Sequence, residues 1–212
     1  FTSCSDESIV HPDSSPKERE TQICMNDYKY VDLILGKQCQ TKMGRGGIRP
    51  LEFKTFSKEM QNAITNYCQA GGNFFVSGAY VASDLWDNRL VKANEEDKKF
   101  AMEVLKYKWR VGQAARNGKV KSVASPFPEI TGSYTYYQDL NPESYVVESP
   151  DALEPAAQGA FTILRYSENN LSAGIAYKGN YKTCVLGFPF EAIRTVTERE
   201  LLMKAILTFF EH

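Results

Sequence analysis

The chain has 212 residues, 42% of them hydrophobic and 12% aromatic, with a formal net charge of −1. That supplies a buried core for one large domain or two small ones, and the charge balance excludes a nucleic-acid binder that relies on bulk basic charge. No apolar run reaches membrane-spanning length, and five cysteines without a CxxC pair give no structural zinc site. The first residue is Phe1 rather than Met, which reads as a mature or excised fragment.

In chain order, residues 1–5 read as a short strand, and the polar, Pro-bearing stretch 11–20 as a surface loop. Residues 30–35 (YVDLIL) form a strand bounded by Gly36, and 42–50 (KMGRGGIRP) a Gly-rich loop. A helix is predicted over 57–70, with Met60, Ile64, Tyr67 and Cys68 on one face and Gly71-Gly72 as its stop. Residues 73–77 (NFFVS) are a buried strand closed by Gly78. Asn94 caps a second helix that the spacing carries to about Trp109, with Phe100, Val104 and Leu105 inward. A strand over 119–125 follows, then a stretch rich in Tyr and turn residues, 133–148. Residues 161–166, 172–177 and 183–188 are three successive short strands with hairpin-like spacing. Thr195-x-x-Glu198 and Thr197-x-x-Glu200 both fit a capping box that opens the last helix, and Leu201, Leu202, Ala205, Ile206, Phe209 and Phe210 give it an apolar face.

Strand–helix alternation in the first half argues for parallel strands under helices, and the strand run near the end for an antiparallel extension. The expected fold is thus one α/β domain, 1–212: a three-layer sandwich with a mostly parallel central sheet and helices on both faces. Cys4, Cys68 and Cys184 fall in apolar contexts and read as small core residues. A bridge between Cys24 and Cys39 is left open.

Candidate chemistry collects around two strand ends. Ser77 ends an early strand and Glu191 follows a late one through a Pro-bearing turn, where open α/β sheets place their sites. A serine needs an adjacent base to attack at neutral pH, and the two histidines lie in a polar loop (His11) and at the last position (His212). FVSGA also lacks the outer glycines of a G-x-S-x-G elbow. Ser77 and Gly78 therefore read either as a nucleophile with its turn or as a tight packing joint. Glu191 reads as an acid/base or as a carboxylate pinning the turn. Asp84 and Asp87, around Trp86, form an acidic rim or a cation site. Arg45 and Arg49 in the Gly-rich loop suit an anion such as an acidic sugar. Tyr134, Tyr136 and Tyr137 suit sugar stacking, and Tyr80, Tyr134 or Tyr136 the acid/base role of a polysaccharide lyase. Packing over the sheet edge is the other reading of these tyrosines. No cofactor or metal is expected.

The order of elements resembles class I glutamine amidotransferase-like domains of flavodoxin-like fold: a YVDLIL strand, a helix ending in GG, a strand with a sharp turn, and a late strand–turn–Glu. More closely, SCSDESIV, VDLILGKQ, FVSGAYVASDLW, ESPDALEP and VLGFPFEAI resemble the amidotransferase-like domain of bacterial multidomain proteins of the xanthan lyase type. In the superfamily the early strand leads to a nucleophilic Cys and the late one to a Gly-x-Gln-Phe-His-Pro-Glu type motif. Here Ser77 or Gly78 stands at the first position, and Gly187-Phe-Pro-Phe-Glu191 at the second without the His. The resemblance implies a non-catalytic module of an extracytoplasmic polysaccharide-processing protein, serving scaffolding or glycan contact. Gly78, Tyr80, Asp84, Trp86, Arg45 and Arg49 are its candidate ligand residues, and neighbouring domains of the same polypeptide and polysaccharide its partners. Two alternatives stay open: a lyase cleaving uronate-bearing glycans by β-elimination, and a Ser/Cys hydrolase.

Overall fold

The computed structural model describes residues 24–42, 51–86 and 94–212, together with Thr2, Cys4 and Ile9, and the side chains of all these but 41–42 and 51–53. The strand expected at 1–5, the loop at 11–20 with His11, the Gly-rich loop with Arg45 and Arg49, and Asp87 lie outside the described residues, wholly or in most of their length.

Strand β1 (Tyr30–Gly36) is followed by a two-stranded ribbon of β2 (Thr41–Lys42) and β3 (Leu51–Phe53). Helix α1 (Lys58–Gln69) begins at Ser57, whose side chain accepts the Met60 N–H at 3.2 Å. Its buried residues include Met60, Ile64, Tyr67 and Cys68, spaced along one helical face. Gly71, at φ +92°, turns the chain out of the helix, where a side chain would be strained. Strand β4 (Asn73–Gly78) is apolar and buried on both faces. It pairs in parallel with β1 on one side and with β11 (Lys182–Leu186) on the other. A strand in that position reads as a continuous apolar run instead of alternating.

The remainder is antiparallel. A four-residue α2 (Ser83–Trp86) precedes α3 (Glu95–Lys99), which passes into a π-helical turn at Phe100–Leu105. The expected helix to Trp109 is corrected here. Lys106 takes a left-handed φ of 67° and ends it, and Trp109 belongs to strand β5 (Tyr107–Val111). Strand β5 pairs with β8 (Ala152–Pro155). Strands β6 (Lys119–Ser122), β7 (Ser133–Thr135), β9 (Ala160–Tyr166) and β10 (Ser172–Lys178) complete the large sheet, in the order β1-β4-β11-β10-β9-β6-β7. Helix α4 (Val196–Glu211) closes the chain behind the expected Thr195–Glu198 capping box.

Two of the six pairings in this sheet are parallel and four antiparallel. The expected three-layer sandwich with a mostly parallel sheet is therefore overturned. The molecule is a curled, mixed seven-stranded half-barrel with few helices. The reason is topological: β6 and β7 join the expected antiparallel extension of β9, β10 and β11, so the antiparallel part outweighs the parallel trio. The core lies on both sides of the sheet. Phe74, Val76, Ile175 and Val185 pack with α1, the π turn and the β5–β8 ribbon. Phe75, Cys184, Leu186 and Ala176 pack with α4, Tyr136 and Phe188.

Candidate functional site

The parallel trio brings the ends of β1, β4 and β11 to one edge, so Gly36, Ser77, Gly78 and Gly187 become neighbours. Ser77 is fully buried, and its Oγ accepts the Phe190 N–H at 3.2 Å. It ties the turn after β11 to the end of β4. No residue from 77 to 80 has a positive φ, so the strained conformation of a nucleophile elbow is absent at this strand end. A Cβ on Gly78 would lie 2.8 Å from Leu35 Cβ. The glycine is there because β1 approaches closely.

Glu191 follows in a 3-10 turn (Phe190–Ala192). Its Oε1 accepts the Tyr145 hydroxyl at 2.5 Å, and its Oε2 is buried with no hydrogen-bond partner. Both Oε1 and the Tyr145 hydroxyl sit against Gly36, whose φ of +56° and crowded surroundings admit no side chain without strain. Lys37 pairs with Glu148 at 2.9 Å and lies 5.6 Å from the Tyr145 ring centroid. Burial, then the bond to Glu191, pushes the Tyr145 hydroxyl well above its ordinary range. It holds its proton as donor to Glu191.

Asp32 lies earlier on β1 and is an exposed residue, so the desolvation of its carboxyl comes from protein packed nearby and not from enclosure. Desolvation, then the charge of Glu191, raises its pKa from 3.8 to about 7. Between these values the native chain holds a proton that the unfolded chain has released. Asp32 therefore stabilises most below the unfolded value, and that stability is lost as pH rises through the folded one. Asp32→Asn is expected to flatten the decline in melting temperature between acid and neutral pH, and to raise the melting temperature above neutrality. Thermal melts over a pH series check this, and an unchanged slope would refute the assignment.

Asp84 is no solvated rim. It is buried, with Oδ1 accepting the Gln40 N–H at 2.9 Å and Oδ2 accepting the Thr55 N–H at 3.0 Å and the Thr55 hydroxyl at 2.5 Å. Burial raises its pKa against those bonds. It pins the segments flanking the β2–β3 ribbon, and Glu191 shares none of its partners. Trp86 lies against Tyr107, with ring centroids 6.2 Å apart. Tyr80 is half-buried, with burial raising its pKa and the Ser149 hydroxyl opposing. Tyr136 is fully buried and stacked on Phe188 at 5.0 Å, and Tyr134 is buried with its hydroxyl on the Thr131 carbonyl at 3.0 Å. Tyr137 stays partly accessible, donating to Glu143 under the Arg194 guanidinium. Packing, not sugar stacking, is what Tyr134 and Tyr136 do. Cys68 and Cys184 are core residues as expected, whereas Cys4 is exposed. Among the described residues no group of three or more His, Cys, Asp or Glu side chains converges as a metal site.

Sequence reasoning missed Asp32, Tyr145 and above all Asp151. Asp151 is fully buried; its Oδ2 accepts the Ala82 and Ser83 N–H groups at 2.8 Å each, and its Oδ1 the Trp109 indole N–H at 3.3 Å. Burial pushes its pKa up to about 7 against those donors. The available signals were a charge at an alternate position of YVDLIL and an Asp directly after Ser-Pro, both weak.

No family model and no curated protein matches this chain. Among solved structures, the cold-adapted β-galactosidase from Rahnella sp. R3 matches with a TM-score of 0.51 and 13% identity, over 89% of this chain and 24% of that one. The exo-β-1,4-mannosidase Op5Man5 from Opitutaceae bacterium strain TAV5 matches at 0.41 and 10% identity, over 90% and 26%. The mmIFT52 N-terminal domain matches at 0.39 and 15%, over 74% and 72%. The first likeness shows the fold: a sheet-rich domain similar to one stretch of a β-galactosidase, which replaces the flavodoxin-like amidotransferase expected from sequence. The chain spans about a quarter of that enzyme's length.

Proposed function

We propose that this chain is a non-catalytic module of a larger, extracytoplasmic carbohydrate-processing protein, with a scaffolding role toward neighbouring domains. The observation that carries this is the state of Ser77. At the strand end where a nucleophile would stand, its hydroxyl is sealed from solvent and occupied by the Phe190 N–H. A hydroxyl that must attack needs access and a base within hydrogen-bond reach. The lyase reading is weakened in the same way, since Tyr136 is buried against Phe188. The carbohydrate context rests on the fold shared with the β-galactosidase, of which this chain covers only a part.

The test pairs activity with stability. The purified chain, incubated with xanthan and other uronate-bearing glycans, is expected to give no ultraviolet absorbance of an unsaturated uronate, and an electrophilic serine probe is expected to leave Ser77 unlabelled. Ser77→Ala should instead lower stability by about 1 kcal/mol, the cost of an unpaired amide. Product formation that Ser77→Ala or Tyr136→Phe abolishes would overturn the proposal.

A further inference from the structure

Helix α4 buries one side against the sheet through Leu202, Ala205, Ile206, Phe209 and Phe210. Its other side forms the wall of an open groove of about 610 Å³, whose apolar lining comes from Phe190, Val196, Met203 and Leu207. Val196 is 59% exposed and Leu207 39%. Residues 196, 203 and 207 are spaced by seven and four, which sets them in one apolar stripe along the helix, with Glu200 on its edge. The spacing is the one that seams use in helix pairs.

The charges beside the stripe identify the second helix. Glu200 and Lys204 are both exposed and neither has an ion-pair partner among the described residues. They flank the same side of the seam, the acid one turn before the base. Arg199, on the other flank, is already committed to the Ile193 and Arg194 carbonyls. If a second α4 runs antiparallel across the first, about a two-fold axis near residue 202, each Glu200 meets the other copy's Lys204. The same axis lays Val196 beside the other copy's Leu207 and brings the two Met203 side chains together. Same-side flanks face each other in antiparallel helix pairs, so one register satisfies both the charges and the apolar stripe. A two-fold contact must be self-complementary in this way.

We propose that α4 is a self-association surface, and that the occupant of its groove is α4 of a second copy of this chain, antiparallel and two-fold related. The apolar stripe supplies contact area and the paired Glu200–Lys204 bridges set direction and register.

Sedimentation velocity and light scattering on the purified chain, over a concentration series, test it. The chain is expected to dimerise reversibly in the micromolar range. Glu200→Lys and Lys204→Glu should each weaken the dimer about tenfold, because each change creates like-charge contacts on both sides of the axis. The double variant, Glu200→Lys with Lys204→Glu, should recover dimerisation, which a merely structural role for either residue would not produce. Leu207→Glu should leave a folded monomer, shown by an unchanged circular dichroism spectrum. A wild-type chain that stays monomeric at high concentration, or a double variant no better than the singles, would overturn the proposal. A groove covered by a different domain of a longer polypeptide would appear as that first outcome.

Discussion

Asp151→Ala is expected to cost about 3–5 kcal/mol of stability. The reasoning is an account of donors. Three N–H groups end on this one fully buried carboxyl, two from the buried backbone of Ala82 and Ser83 and one from the part-buried Trp109 indole. Alanine leaves all three without an acceptor, and each buried unpaired donor costs about 1–3 kcal/mol. The damage also spreads along the chain. Ala82 and Ser83 begin the turn that sets Asp84, and Asp84 in turn holds Gln40 and Thr55. Trp109 belongs to the ribbon that pairs β5 with β8. One carboxyl thus fixes the end of β4, the segments around β2 and β3, and the ribbon. Asp151→Asn keeps an oxygen for the two backbone amides but points its NH2 at the indole N–H, a donor facing a donor, so the longest bond is replaced by a mismatch at the part-buried ring. The substitution should cost about 1–2 kcal/mol. Urea denaturation separates the cases: with a slope near 2 kcal/mol/M, the alanine variant's midpoint should fall by about 2 M and the asparagine variant's by less than half as much. Equal losses would mean that shape rather than hydrogen bonding governs the position.

The elements that could be read from sequence are those whose pattern is local. Helix α1 is written in Ser57, the apolar spacing from Met60 to Cys68, and the glycine stop. Helix α4 is written in its capping box. Strands β4 and β11 are short apolar runs buried on both faces. Strand β5 is hidden in the sequence because helical spacing runs on to Trp109, and β8 because ESPDALEP reads as an acidic, Pro-bearing loop. The break at Lys106 carries no glycine to announce its left-handed backbone. Sheet order was the larger loss. Strand–helix alternation implies parallel strands in the first half and hairpin spacing an antiparallel extension at the end, but no local pattern shows that β6 and β7 join that extension and that few helices cover the sheet. At the site, Ser77 and Glu191 lie at the strand ends where the motif reading placed them. What each touches depends on Phe190 N–H and Tyr145, tertiary partners that no spacing rule specifies. Asp151 lies furthest from legibility, since its donors come from residues some forty to seventy positions earlier in the chain.

Gly187→Ala should be nearly as damaging as the loss of Asp151, for a steric reason at the same hub. A Cβ at position 187 would lie 2.0 Å from the Asp151 carbonyl oxygen and 2.9 Å from its carbon. Neither atom can retreat freely. The Asp151 N–H donates to the Gly187 carbonyl at 2.7 Å, the Gly187 N–H to the Ala173 carbonyl at 2.9 Å, and the Tyr166 hydroxyl to the Asp151 carbonyl at 2.7 Å. Relief requires breaking at least one of these bonds, and overpacking against fixed backbone costs about 3 kcal/mol or more. The two lesions should not add. In Asp151→Ala the segment carrying the offending carbonyl has already lost its side-chain anchor and can shift away from the new methyl group. The double variant should therefore be more stable than the sum of the singles by about 1 kcal/mol or more, measured as a double-mutant cycle in urea. If Gly187→Ala proves too unstable to purify, Tyr166→Phe provides the same cycle. It removes the hydroxyl that clamps the Asp151 carbonyl and leaves the rest of the ring in the core, so its coupling to Asp151→Ala reads the same hub. Strict additivity in both cycles would show that Asp151, Gly187 and Tyr166 act independently, and the strand-end joint would then be a set of separate contacts rather than one unit.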